Sequence, residues 1–411
     1  MIDEAARAFR RSGADVVVAD LELMHGVPVE ELGRRLTVNG PLDLVFSINI
    51  GGDFIGPSGC SMTEMFGAPH VLQYVDYPLH DLNRFLAIPP ATGLLLVDTS
   101  HVRTVEKLLG PDRFAWLGFG PHAALGDPKQ LPGRVETFIE RRPIPVLFAG
   151  TGYRSNERIW DAYPEHIRKV FLTAVDIATS TEWLSPSDAL DHALAVHGLD
   201  PNAATLSGVQ RDDLLSVRLL AAQVQEWVRT ERRQQFLAAA MRAGLRLTAV
   251  GKGYEDVPEA CTNIDCRGPV SIEETIKLMQ NARLVVSLNG NFGQGTHERP
   301  FTAMMAGAAV ASDFSTYYAE ALEPGREIAL FRWSNLESDL AELAEFTENS
   351  KALFEMARAG QAKTLAHHCW EHRIGAYFEA AAAVREKYPQ LCGGARIVRM
   401  PDSAAQFFST P

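Results

Sequence analysis

The run Asn289-Gly290-Asn291-Phe292-Gly293-Gln294-Gly295-Thr296-His297-Glu298-Arg299-Pro300 gathers the groups that a phosphate needs. Glycines let the backbone approach a ligand closely, and Pro300 suits the first turn of a helix. His297 and Arg299 then flank a helix start, where unpaired N–H groups and a guanidinium can hold a diphosphate. The same composition also suits a glycine-rich loop whose polar residues only cap the helix. Gly251-Lys252-Gly253 is a second phosphate candidate, with Lys252 long enough to reach one. Gly150-Thr151-Gly152 lacks the further glycine of a dinucleotide fingerprint, and no strand-ending acidic residue follows at the usual distance. That disfavours a dehydrogenase.

Loops of this kind act where parallel strands end, so the chain must supply such strands. Short Val-, Ile- and Leu-rich segments alternate with helical stretches, the pattern of a parallel sheet covered on both faces. In the first third, strands are expected at Asp15–Leu21, Leu42–Ile50, His70–Val75, Gly93–Asp98 and Arg113–Gly118. A charged, proline-bearing stretch from Arg134 to Pro145 marks a boundary, and Val146–Ala149 opens a second set. Residues 156–243 carry almost no strand signal, whereas Leu214, Val217, Leu220, Val224 and Trp227 recur at helical spacing. This is a helical insertion. Strands resume at Leu245–Val250, near Asn263–Asp265, at Leu284–Leu288 and at Ala308–Ser312, with helices over Ile272–Asn281, Phe301–Ala306 and about Ser350–Tyr388. The expected class is α/β, with a Rossmann-like domain over 1–140, a second over 141–365, and a terminal helix and tail over 366–411 that packs back toward the first.

With 411 residues, 46% hydrophobic, the chain is too long for one ordinary domain. Its net charge of -12 disfavours wrapping a polyanion, so nucleic acid is not an expected partner. The opening MIDEAARAFRRSGAD has no signal-peptide core, and no run reaches the roughly 18 to 20 apolar residues of a membrane span. A cytoplasmic protein is expected. Its five scattered cysteines fit reduced thiols, and Cys261 and Cys266 are too isolated for structural zinc.

Several segments together resemble the CgeB-like, spore-maturation-type glycosyltransferases, a branch of the GT-B enzymes. In the first domain these are LDLVFSIN, APHVLQYVDYP from Ala68 to Pro78, and LLLVDTSHVRTVEKLL. In the second they are FAGTGYRSNER, HERPFTAMMAGAAVASD from His297 to Asp313, and EPGREIALF from Glu323 to Phe331, which are the more specific. The resemblance covers most of the chain. It implies two Rossmann-like domains facing across a cleft, with a nucleotide-sugar donor held mainly by the second and an unidentified acceptor approached from the first. Carried over by position, Gly150 and Gly152 line the donor site, Lys252 and Arg299 neutralise diphosphate, and Asn289, His297 and Glu298 lie beside them. Such cations answer a physical need, because the leaving nucleoside diphosphate gains negative charge as the glycosidic bond breaks. No Asp-x-Asp pair occurs in the chain, consistent with metal-independent chemistry.

One position departs from the family. Where many relatives carry a glutamate that grips the donor ribose, this chain has Thr302 in the donor site, so the ribose contact must differ or be supplied by another group, Glu298 or Glu320. A cytidine-monophosphate-linked acidic sugar therefore joins the candidate donors. The departure also keeps open a catalytically inactive scaffold that binds carbohydrate or a partner, and a sugar-nucleotide epimerase of the same fold is a further alternative.

An inverting transfer needs a base for the acceptor hydroxyl. Asp76, directly after the strand His70–Val75, is the first choice, Asp53 in Gly51-Gly52-Asp53 the second, and His80 and His101 the third; for Asp76 a turn-capping role is the competing reading. His368-Cys369-Trp370-Glu371-His372 matches an inverted zinc-protease pattern, but no further ligand follows in a recognisable place. Arg211–Arg242 reads as a solvated helix packed on its apolar side, and the six tryptophans are dispersed.

Overall fold

The computed structural model describes residues 1–19, 36–37, 40–49, 61–80, 82–152, 159–200, 211–254, 263–290 and 292–393. Asp53, Cys60, Cys261 and Asn291 lie outside them. The chain divides into two compact units: Met1–Gly120 with Trp370–Pro411, and Pro121–Cys369. It leaves the first unit at Gly120, ahead of the charged, proline-bearing stretch, and re-enters it at Trp370.

The first unit opens with α1 (Ile2–Arg11) and alternates β1 (Val45–Ile48), α2 (Met62–Phe66), β2 (His70–Tyr74), α3 (Leu82–Leu86), β3 (Thr92–Leu96), α4 (Thr99–Leu109) and β4 (Trp116–Phe119). The four strands are parallel and lie side by side in chain order. Of the strand expected over Asp15–Leu21, the described residues 15–19 are irregular, with Val17 and Val18 exposed, and Asp20 and Leu21 are outside the described residues. Apolar residue type alone does not make a strand.

The second unit runs through α5 (Val135–Glu140), β5 (Ile144–Ala149), α6 (Glu165–Ser180), α7 (Pro186–Val196), α8 (Arg211–Arg242), β6 (Leu247–Val250), β7 (Ile264–Arg267), α9 (Ile272–Gln280), β8 (Ala282–Ser287), α10 (Glu298–Met305), β9 (Ala309–Asp313), α11 (Thr316–Ala321), β10 (Ala329–Phe331), α12 (Leu336–Glu348) and α13 (Ser350–His367). Its six strands are parallel in the order β10-β9-β8-β5-β6-β7. Helices α6, α7 and α8 form the helical insertion. Strand β10 escaped the sequence reading because three residues carry no periodicity.

Alternate residues of these strands feed two separate cores, as a period of two requires. Val146, Phe148, Leu284, Val286, Ala309 and Ala311 pack with Phe236 and Phe354 on one face. Leu147, Val285 and Val310 pack with Phe301, Met304 and Tyr318 on the other. The result is an α/β fold with a parallel sheet in each unit.

The long helical region expected at the end is two helices. Helix α13 belongs to the second unit, and α14 (Ile374–Lys387) belongs to the first. There Tyr377 donates its hydroxyl to Gln73 Oε1 at 2.5 Å and packs at a tilt against Phe46, with ring centroids 4.6 Å apart. Gly93 in β3 permits this approach, since a Cβ there would meet Ala380 Cβ at 3.0 Å.

Burial also places His70 in the middle of the first sheet, 1% exposed, with its Nε2 2.8 Å from Ser47 Oγ. Desolvation lowers its pKa to about 4. Between the unfolded value of 6.5 and about 4, the unfolded chain binds a proton that the fold refuses, so stability is lost as pH falls through this window. The loss due to His70 should reach about 3 kcal/mol by pH 4. Denaturant titrations at pH 7 and pH 4 should show a smaller difference for His70→Gln than for the native chain; equal differences would exclude this origin.

Candidate functional site

The order of the second sheet contains one reversal. From β5 the chain adds β6 and β7 on one side, then crosses to place β8, β9 and β10 on the other. Loops leaving β5 and β8 must therefore part in opposite directions, which opens a crevice at their carboxyl ends. The loop after β8 and the start of α10 lie at this place.

His297 caps α10, which begins at Glu298, so Pro300 is the third helical residue rather than the first. The His297 ring links two neighbours. Its Nε2 lies 2.8 Å from an Arg299 Nη2, which can only donate, and its Nδ1 lies 2.5 Å from Glu298 Oε2. These roles define a neutral imidazole protonated on Nδ1, and the 3.4 Å approach of the Arg299 backbone N to Nδ1 is too long to compete. Burial holds His297 below its ordinary value, Arg299 adds to this, and Glu298 opposes it. Burial alone would raise Glu298, but His297, His122 and Arg299 outweigh it and keep the carboxyl well below the usual carboxylate range. The guanidinium of Arg299 also donates from Nη1 to the carbonyl of Ala149, the last residue of β5, at 3.1 Å. A cation is thereby pinned across the ends of the two strands that flank the crevice.

Gly150 and Gly152 stand in this crevice beside Gly251 and Gly253, and their smallness serves loop-to-loop contact. A Cβ on Gly251 would fall 2.1 Å from the Gly150 carbonyl oxygen, and one on Gly253 1.6 Å from that of Gly152. Both have positive φ, 149° and 82°. Gly253→Ala should therefore cost about 2 to 4 kcal/mol through backbone strain and overlap, read as a lower denaturation midpoint. Loss of less than a few tenths would show that the two loops separate freely. Lys252, between them, is exposed and has no ion pair among the described residues.

Asn289 and Thr302, expected to touch the donor, are committed elsewhere. Asn289 is 2% exposed, donates to the carbonyls of Phe292 and Gly295, and accepts from Tyr318. It shapes the loop. Thr302, also 2% exposed, accepts the backbone N–H of Leu125 at 3.0 Å and anchors that segment to α10. Its burial leaves that side chain no open face toward a ribose.

Two residues escaped the sequence reading. Arg233 of α8 is 7% exposed, donates to the Thr151 carbonyl, and has a guanidinium nitrogen 3.5 Å from where a Gly150 Cβ would stand, opposite Arg299 at 3.6 Å. Its neighbour Arg232 is 5% exposed and donates to the carbonyls of Ala178, Thr181 and Gly290. Burial lowers the Arg232 pKa to about 10, against the opposing charges of Asp313 and Glu182. This part of α8 is thus not a solvated face; an Arg-Arg pair within an apolar-spaced helix was the available signal. The other is His122, whose ring stacks on His297 with centroids 5.7 Å apart. Its segment, Gly120-Pro121-His122 directly after β4, offered little to single it out.

In the first unit, Asp76 is exposed just beyond β2 and accepts from Asn49 Nδ2 at 2.6 Å. Asn49 adopts φ 56°, unusual for a side-chain-bearing residue, and its Oδ1 accepts from Val75 N at 2.8 Å. This bridge between the ends of β1 and β2 orients the carboxylate. His80 is exposed and packs edge-on against Tyr77, whereas His101 is 1% exposed against the same ring. Burial leaves His101 no open face toward an acceptor.

The His-x-x-Glu-His segment does not form one helical face, because α13 ends at His367 and Trp370–His372 is a separate short turn. His368 is buried against Phe301 at 4.3 Å. Among the described residues Cys266, Cys369 and Cys392 form no disulfide, and no helix is long and apolar enough to cross a membrane.

Among solved structures, the chain is similar to the glycosyltransferase from Rickettsia africae ESF-5 (9% identity, TM-score 0.41, covering 92% of this chain and 87% of that one). It is similar also to WaaG, a glycosyltransferase involved in lipopolysaccharide biosynthesis (13%, 0.38, 76% and 77%), and to TarM (9%, 0.38, 76% and 54%). It spans about half the length of TarM. No curated protein matches it. A family model described as glycosyl transferase-like matches residues 229–379, a stretch that contains Arg233, Lys252, His297, Glu298 and Arg299. The part of the crevice built by α8, the loop after β6 and the start of α10 thus falls in a stretch similar to a glycosyl transferase-like model, whereas Ala149, Gly150 and Gly152 precede it.

Proposed function

We propose that the protein is a CgeB-like glycosyltransferase of GT-B architecture that transfers a sugar from a nucleotide-activated donor to an acceptor without a metal. The observation that carries this reading is the Arg299 guanidinium, held by Ala149 and His297 at the strand reversal inside the glycosyl transferase-like stretch. Cations fixed in advance stabilise a departing phosphate without reorganising as charge develops. Arg299 and Arg233 flank Gly150 in this role, and Lys252 adds an exposed charge nearby. Glu298 is committed to His297 and serves the cation rather than the ribose. Asp76 is the acceptor base, and the missing Asp-x-Asp pair supports metal independence.

Thermal melting with UDP, GDP, CDP and CMP tests the proposal. A nucleotide at a hundredfold excess over its Kd stabilises the native chain by about 2.7 kcal/mol, and its sugar conjugate should then be turned over. If none of the four shifts the melting curve, the donor site is not there. Binding with no turnover of any conjugate would instead identify an inactive scaffold.

A further inference from the structure

His122 belongs to the segment Pro121–Leu125, with which the second unit begins. Its backbone N–H donates to Thr296 Oγ1 at 2.8 Å, and its ring Nδ1 lies 2.8 Å from the Thr296 carbonyl oxygen. A carbonyl only accepts, so Nδ1 carries a proton, and the ring is fixed with Nε2 facing Glu298 Oε2 at 3.9 Å, a contact that holds the carboxylate where Nε2 is protonated as well and the ring is an imidazolium. The same carboxylate oxygen is the one that receives His297 Nδ1. One oxygen is thus bracketed by two imidazoles whose planes are 18° apart, and the His122 side chain is only 4% exposed.

We infer that His122 is a positioning residue of the donor site: by fixing Glu298 it selects the His297 tautomer that accepts from Arg299, and so sets the direction of the guanidinium. This rests on the donor-site reading above. Were Glu298 free to turn away, His297 would no longer be held to Nδ1 protonation. The alternative tautomer points an N–H at the Arg299 guanidinium and releases it.

Two near-isosteric variants separate the functions of the ring, because an Asn amide can replace Nδ1 and a Gln amide can replace Nε2. His122→Asn should keep the bond to Thr296 and native melting, but lose the Glu298 side. His122→Gln should keep the group facing Glu298. In the full chain labelled with 15N-histidine, His297 should show the Nδ1-protonated pattern in the native protein and in His122→Gln, and a mixed pattern in His122→Asn. Affinity for inorganic pyrophosphate should fall about tenfold in His122→Asn and recover in His122→Gln. A tautomer altered in both variants, or in neither, overturns the inference. If the native chain binds no pyrophosphate, the donor-site reading fails, while the nitrogen spectra still decide whether His122 positions His297.

Discussion

Arg299→Ala is expected to abolish most nucleoside diphosphate binding and to lower kcat/KM by about 10²- to 10³-fold, the scale for removing a fixed electrostatic donor. The guanidinium has five N–H groups, and among the described residues one goes to the Ala149 carbonyl and one to His297 Nε2. The others remain for a phosphate. Because the two anchoring bonds run in different directions from a planar group, Arg299→Lys should rescue little: an ammonium keeps the charge but not the fork. Calorimetric titration with the nucleotide that stabilises the chain, followed by steady-state kinetics, measures both effects. Retention of native affinity in Arg299→Ala would remove the phosphate site from this crevice.

Asp76→Asn is expected to lower kcat by about 10²- to 10⁴-fold while leaving nucleotide affinity unchanged. The substitution keeps size and shape but removes the group that would take the acceptor proton. Asp76 belongs to the first unit and the proposed donor ligands to the second, which is why affinity should be spared. Asn49→Ala should lower kcat less, since it leaves the carboxylate in place but deletes the amide 2.6 Å away that orients it. An Asp76→Asn enzyme within threefold of native turnover would assign the base elsewhere.

These two predictions differ in how far the sequence alone could reach. Arg299 and His297 were legible because part of what holds them is local: His297, Glu298 and Arg299 are consecutive at a helix start, whereas the Ala149 carbonyl that also holds Arg299 is 150 positions away. Asp76 was legible as a residue immediately after an apolar strand. Asn289 and Thr302 stood in the right loop and helix, but their side chains are satisfied by Tyr318 and Leu125, and partners so far along the chain leave no trace in spacing. His122 is a similar case, 174 positions from the Thr296 that orients it.

By itself, then, the sequence determined the α/β class, the positions of most strands along the chain, the helical insertion and the glycine-rich loop that opens α10, because periodicity and turn residues act over a few neighbours. Only the tertiary structure decided that β8 crosses to the far side of β5, that Arg233 is buried beside Gly150, and that the terminal helical region divides between the two units. Strand order and burial depend on which distant surfaces exclude water together, and short-range pattern does not encode that choice.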